Sequence, residues 1–335
     1  MKKEFYKLSV KSKLLLFSFC ISLIPIAVIT TVYTFHARSK LIHQRLNELT
    51  AIAESKRIHA LSFVKSKIGR TIDFSSDKFI RNSLDKINHI KPSPKETVVA
   101  LNKYLSEFKK PLDPQIKAIA ITDKDGIIVA SSLKALVGKG IFNQEIFKRT
   151  MRKRFGEACV EQPAYMPLLE TNTLTISAPV AYRIGTNRGI LINYYDIAVL
   201  EEITVDRVGL GKTGEVYLVN GDKRMLTKSR FVDNAPLSLA VDTEPIRKIA
   251  EEGKEMVGIY ADYRGIPVVG ASAHIAEYGW TLLAEIDKSE VFKPLKTLTI
   301  VALITGGIFA AIVIGAGIFY TVSSKLQKIL PNTCR

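Results

Sequence analysis

The chain has 335 residues, 47% of them apolar and 24% charged, and its 48 basic side chains outnumber 32 acidic ones to leave a formal charge of +16. That apolar content supports one large or two modest domains with real cores and excludes a disordered chain. The basic excess does not point to nucleic acid as a partner: eight of the basic residues flank two long apolar runs, and the others are scattered among acids without an aromatic-interleaved patch.

Residues 1–13 carry Lys2, Lys3, Lys7, Lys11 and Lys13 against the single Glu4. Residues 14–35 (LLLFSFCISLIPIAVITTVYTF) and 298–322 (LTIVALITGGIFAAIVIGAGIFYTV) contain no Asp, Glu, Lys or Arg. Each is long enough to cross a bilayer, which takes about 20 apolar residues. The first run exceeds the usual signal-peptide core of about 7–15 residues and no small-x-small site follows it, so it reads as an uncleaved anchor. Lys325, Lys328 and Arg335 follow the second run. The positive-inside rule then places both termini in the cytoplasm and residues 36–297 outside the inner membrane.

From His36 to about Lys91 the pattern is that of one long helix. Ile42, Leu46, Leu49, Ala53, Ala60 and Phe63, with Lys56 in one slot, fall on alternating steps of four and three, the seam of a helix that pairs along its length. Lys91-Pro92-Ser93-Pro94 forms a rigid turn, and Glu96–Phe108 a second amphipathic helix. The period then becomes that of strands. Ile116–Thr122 and Ile127–Ser131 flank the turn Asp123-Lys124-Asp125-Gly126, a strong hairpin signal. A short helix is expected within Gly138–Lys153, strands at Leu174–Ala181 and Arg188–Tyr195, and a helix opening at Asp196. The plan then repeats. Strands are expected at Gly214–Val219 and Arg224–Leu226, a helix around Glu244–Glu252, strands at Val257–Asp262, Val268–His274 and Trp280–Ile286, and a final helix from Asp287 to Leu295. Two mixed sheets in tandem, each with helices on one side, fit this order, and the hairpins exclude a Rossmann arrangement.

The stretch GLGKTGEV (Gly209–Val216) imitates a phosphate-binding loop. The motif would need a glycine where Asp206 stands, and the stretch lies outside the membrane, away from cytoplasmic nucleotides. A turn feeding a strand is the better reading. The histidines are dispersed without metal-ligand spacing, and Ser131 and Ser132 have no glycine elbow around them, so neither a metal, a cofactor nor catalysis is expected. Cys20 lies in the first span, Cys334 in the tail and Cys159 alone in the exported region, which leaves no intrachain disulfide there.

Four stretches, ITDKDGIIVASS with LVGKGI, TISAPVAY with GILINYYDIAVLEEI, GLGKTGEVYLVNGDKRMLTKSRF, and GASAHIAEYGWTLLAEIDKSEVFKPL, together resemble the double Cache sensor domain of bacterial receptors. The resemblance implies an α+β fold of two tandem PAS-like modules on a long N-terminal helix, flanked by two transmembrane helices. Stalk and first helices would take residues 36–113, the membrane-distal module 114–205 and the membrane-proximal module 206–295. It also implies a small-molecule sensor rather than an enzyme, feeding a histidine kinase or chemotaxis output. In the amino-acid-binding members a Tyr, an Arg followed by Trp-Tyr, then a later Tyr and Asp hold the ligand. Tyr165 and Asp196 fall where the last two belong, but RTMRKRF (Arg149–Phe155) lacks the tryptophan, which puts that mode in doubt. Asp196 would suit an amine, and Arg183, Arg152 or Arg154 an organic acid. As a helix N-cap, Asp196 is equally well explained. Tyr165 and Tyr182 are further candidate contacts.

Gly307, Ala311 and Gly315 form a small-residue row in the second span, which with the stalk seam suggests a parallel homodimer. Residues 323–335 begin like the first helix of a HAMP linker and then stop, which reads as a truncated receptor whose output is missing. The alternative is a membrane-tethered solute-binding or structural partner acting without an output of its own.

Overall fold

The computed structural model describes residues 10–90, 94–183, 186–206 and 208–329. The first nine residues of the lysine-rich N-terminal segment, positions 91–93 of the expected turn and the tail from position 330 lie outside the described residues. Two compact units divide the chain: Met1–Arg45 with Lys288–Arg335, and Leu46–Asp287.

In the first unit, helix α1 (Val10–Ser76) begins, and the last helix runs from Lys293 to Ile329. Both are long and apolar enough to cross a membrane. Gly306 makes the close approach between them, because a Cβ there would sit 3.4 Å from Ile26. Positions Gly307 and Gly315 of the predicted row have open space around them instead.

In the second unit, α1 continues from Leu46 to Ser76. Its seam is filled by the chain itself: Leu49, Ala53, Ala60 and Val64 are buried, and Ile52 packs on Gly209. The expected single helix breaks at Asp77, whose carboxylate accepts the N–H groups of Phe79 and Ile80 and so starts α2 (Lys78–His89). Lys109, 2.8 Å away, and the Tyr104 hydroxyl also bind that carboxylate. Helix α3 (Lys95–Tyr104) extends through a wide turn to Lys109 and a tight one to Leu112.

The strands then form two separate sheets. The first contains β1 (Ile116–Thr122), β2 (Ile128–Ser131), β3 (Cys159–Val160), β4 (Ala164–Met166), β5 (Thr171–Arg183) and β6 (Thr186–Asp196). Its order is β2-β1-β6-β5-β3, with β4 also on β5. The second, ordered β7-β10-β9-β8, contains β7 (Glu215–Val219), β8 (Val257–Ala261), β9 (Pro267–Ile275) and β10 (Trp280–Asp287). Among the described residues every pairing is antiparallel, so the sheets are not the mixed ones expected: short turns send β2, β6, β9 and β10 back along the strands before them. Helices α4 (Glu145–Met151), α5 (Glu201–Thr204) and α6 (Glu244–Glu252) complete the unit, and α7 (Lys288–Val291) leads to the final helix α8 (Lys293–Ile329).

Local chemistry explains the turns. Asp123 holds the β1–β2 turn by accepting the N–H groups of Asp125 and Ile127. The return strand expected at Arg224–Leu226 is reduced to two isolated bridges, Val219 with Met225 and Arg224 with Ala240. The GLGKTG stretch is a turn: Gly209 and Gly211 have positive φ, Leu210 is buried between them, and a Cβ on Gly214 would lie 2.0 Å from the Leu210 carbonyl oxygen. Its Thr213 hydroxyl accepts the Asp287 N–H at 3.1 Å, so the loop braces the end of β10.

Candidate functional site

Strand alternation gives β6 two different faces. Asn193 donates to Thr71 of α1 at 3.0 Å, and Tyr195 lies beneath the Lys67 ammonium of the same helix. Lys67 forms a 3.0 Å ion pair with Asp113, both side chains being nearly buried. Ile190, Ile192 and Tyr194 point to the opposite face and share a core with Ile146 and Phe147 of α4, so helices cover both faces of the first sheet and not the one side expected, because α1 runs on past the membrane span to pack on it. Helix α4 is anchored there by the Thr150–Ser177 hydroxyl contact at 2.6 Å.

Between α4 with the segment before it and the β3–β5 edge lies a cleft of about 470 Å³. That volume suits a small organic molecule. Ile128, Leu136, Ile141 and Met166 give it apolar walls, and Lys139, Gln144, Glu161, Tyr165, Thr173, Thr175 and Tyr194 supply polar groups. Burial pushes the Tyr194 hydroxyl up to about 12, so it remains a phenol at neutral pH. Glu161 is the most informative group. Its Oε1 is buried and lies 3.0 Å from Arg149 Nη1, yet it accepts no well-formed hydrogen bond from the described residues. Arg149 is itself half exposed on the last turn of α4. Glu161 therefore brings to the cleft a carboxylate oxygen with hydrogen-bonding capacity to spare, and Arg149, outside the lining, stands beside it.

Of the residues expected from the sequence, Tyr165 lines this cleft and is 60% exposed. Asp196 caps the turn after β6 by accepting the Ala198 N–H at 2.9 Å, and it pairs with Lys117 at 3.1 Å. Desolvation would raise its pKa, but the Ala198 N–H and Lys117 outweigh it and hold the carboxyl below its ordinary value. Arg152 is exposed at the C-cap of α4, away from the cleft lining. Tyr182 and Arg183 end β5, and their side chains lie outside the described residues. Glu161, Arg149, Thr175 and Tyr194 escaped the sequence reading. Alternation along NYYD could have separated Tyr194 from Tyr195, whereas Glu161 beside a two-residue edge strand carries no local signal.

The second sheet holds a different polar cluster. Glu285 is buried on β10 and accepts the Tyr217 hydroxyl at 3.0 Å. Burial pushes its carboxyl up to about 8, and the nearby Asp262 and Glu215 add to the rise. Glu215 accepts the Tyr263 hydroxyl at 2.6 Å. Tyr260 fills the remaining space, since a Cβ on Gly270 would lie 2.3 Å from its oxygen. Among the described residues no group of three or more metal-ligating side chains is assembled.

Two apolar helices of membrane-crossing length flank this region in the sequence, in keeping with a two-pass inner-membrane protein whose termini are cytoplasmic. No curated protein matches the chain. Solved structures do share its fold. The sensor domain of the Vibrio cholerae histidine kinase DctB superposes with a TM-score of 0.54 at 13% identity, covering 72% of this chain and 97% of that one. The ligand-binding domain of the Campylobacter jejuni chemoreceptor Tlp3, solved with 4-methylisoleucine, gives 0.52 at 12% identity over 76% of this chain and 95% of that one. The ligand-binding domain of Mlp24 with asparagine gives 0.50 at 14% identity over 77% and 98%. A family model described as a Cache domain matches residues 34–295, and the chain belongs to the double Cache family of extracytoplasmic sensor domains.

Proposed function

We propose that the cleft between α4 and the β3–β5 edge is the sensory site, and that it takes a small organic solute carrying an amino group, with or without a carboxylate. The observation that carries this reading is Glu161 in its lining, paired with Arg149, whose buried carboxylate oxygen has no well-formed hydrogen bond among the described residues. An ammonium group can take that oxygen while Arg149, freed from it, turns to a ligand carboxylate. Tlp3 and Mlp24, whose domains share the fold, were solved with 4-methylisoleucine and asparagine. In this reading residues 114–205 form the distal, ligand-binding module and 206–295 the proximal one, and the receptor works as a homodimer.

Thermal-shift titration of the protein with amino acids, organic acids and polyamines tests the assignment. An amine or amino acid should raise the melting temperature, and Glu161→Gln should weaken that binding at least tenfold, the loss expected when about 1.5–3 kcal/mol of charged hydrogen bonding disappears. Stabilisation by organic acids alone, or binding indifferent to Glu161→Gln and Tyr165→Ala, would refute it.

A further inference from the structure

One residue beyond Glu161, the side chain of Gln162 engages the second sheet. Its Nε2 donates to the Tyr278 carbonyl at 2.6 Å, and its Oε1 accepts the Trp280 indole N–H at 3.0 Å. Both ends of the amide are thus spent on the hairpin joining β9 to β10. Trp280 is fully buried and packs against Tyr278 with ring centroids 5.2 Å apart and the rings tilted by 45°. Gln162, on the surface, is what covers its N–H. A second strut lies nearby: Asn172, the register partner of the cleft residue Tyr165, donates to the Pro236 carbonyl at 3.2 Å.

The segment from Glu161 to Tyr165 is therefore a wall of the cleft that is pinned to the other sheet. Its pinning point is Trp280 at the start of β10, which pairs with Ile275 of β9, and the strand runs roughly 23 Å to its end at Asp287. The chain continues from there through α7 into the second apolar helix. The β9 ladder runs the whole of β10, from Trp280 to Asp287, and the β7 ladder backs it from Thr281 to Glu285, so displacement of its first residue is carried to its last.

We infer that Gln162 is the positioning residue that passes occupancy of the cleft to β10, and that Trp280 reports the transfer. The inference rests on the cleft being the sensory site, but its test does not need the natural ligand. The full chain would be placed in lipid nanodiscs with Cys20, Cys159 and Cys334 replaced by alanine, and Tyr165→Cys would be reacted with benzyl methanethiosulfonate to fill the cleft covalently. Trp280 is the only tryptophan, so its emission is read without ambiguity.

The adduct should shift the emission. Gln162→Leu should lose more than half of that shift, and Gln162→Glu, which keeps an acceptor for the indole but sets an oxygen against the Tyr278 carbonyl, should lose less of it than Gln162→Leu. Should Gln162→Leu fail to fold, Gln162→Asn, one methylene short of the indole, must show the same loss. An adduct that leaves the emission unchanged, or a shift equal in the glutamine and leucine backgrounds, overturns the inference. Failure of the solute screen with a normal adduct response would count against the ligand assignment alone.

Discussion

The buried acid on β10 makes the stability of this protein fall as pH rises, and Glu285→Gln should remove that dependence. The ordinary carboxyl value of 4.5 rises to about 8 in the folded chain, chiefly through burial. Below about pH 4.5 the group is protonated whether the chain is folded or not, and it contributes no dependence. Between about 4.5 and 8 only the unfolded chain ionises, so the unfolded state gains about 1.4 kcal/mol per pH unit. The loss approaches about 5 kcal/mol above pH 8 and is about 3 kcal/mol at pH 7. Glutamine does not titrate and still accepts the Tyr217 hydroxyl. For a unit the size of Leu46–Asp287, a slope of this magnitude corresponds to roughly 3–6 °C per pH unit. Melting of the full chain in nanodiscs, followed by Trp280 emission between about pH 5 and 8, measures it. The wild-type melting temperature should fall relative to the variant as pH rises, with the largest gap at the alkaline end. Parallel profiles, or a variant that loses ground as the pH rises, would show that Glu285 is ionised in the folded chain and refute the reasoning.

Two further outcomes follow from geometry. Asp113→Asn strands the Lys67 ammonium, whose side chain is 12% exposed, and should cost about 3–5 kcal/mol, whereas Lys67→Met combined with Asp113→Leu should recover most of it; chemical denaturation of the three proteins decides. Gly214→Ala places a methyl 2.0 Å from the Leu210 carbonyl oxygen and should destabilise by at least about 1–3 kcal/mol, while ATP should leave the melting temperature of the wild type unchanged, as a turn rather than a phosphate cradle requires.

Local sequence carried much of the architecture because local physics sets it. The Asp123–Gly126 turn, the alternation of IKAIAIT and the charge-free runs each act within a few residues, and the structure has a hairpin and two long apolar helices there. The break at Asp77 was also available to a closer reading, since an aspartate before an amphipathic run is a cap signal. The edge strands β3 and β4 were not: at two and three residues they have no readable period, and they exist because β5 is long enough to pair with them. The stalk seam is a subtler case. Its apolar spacing states that a partner lies along the helix, but the same spacing serves a second chain or the helix's own domain, and from Leu49 onward its own domain fills it.

The amino-acid order by itself determined membrane placement, the hairpin turns and the family, because hydropathy, strand period and turn residues are summed over neighbours in the chain. Only tertiary structure decided which polar groups meet. Glu161 in the cleft lining finds Arg149 on α4, and Gln162 finds Trp280 from 118 positions away. Asp196 is spent on its own cap and Lys117. Such contacts depend on how sheets and helices pack, and burial, which gives Glu285 its proton at neutral pH, is a property of the packed chain.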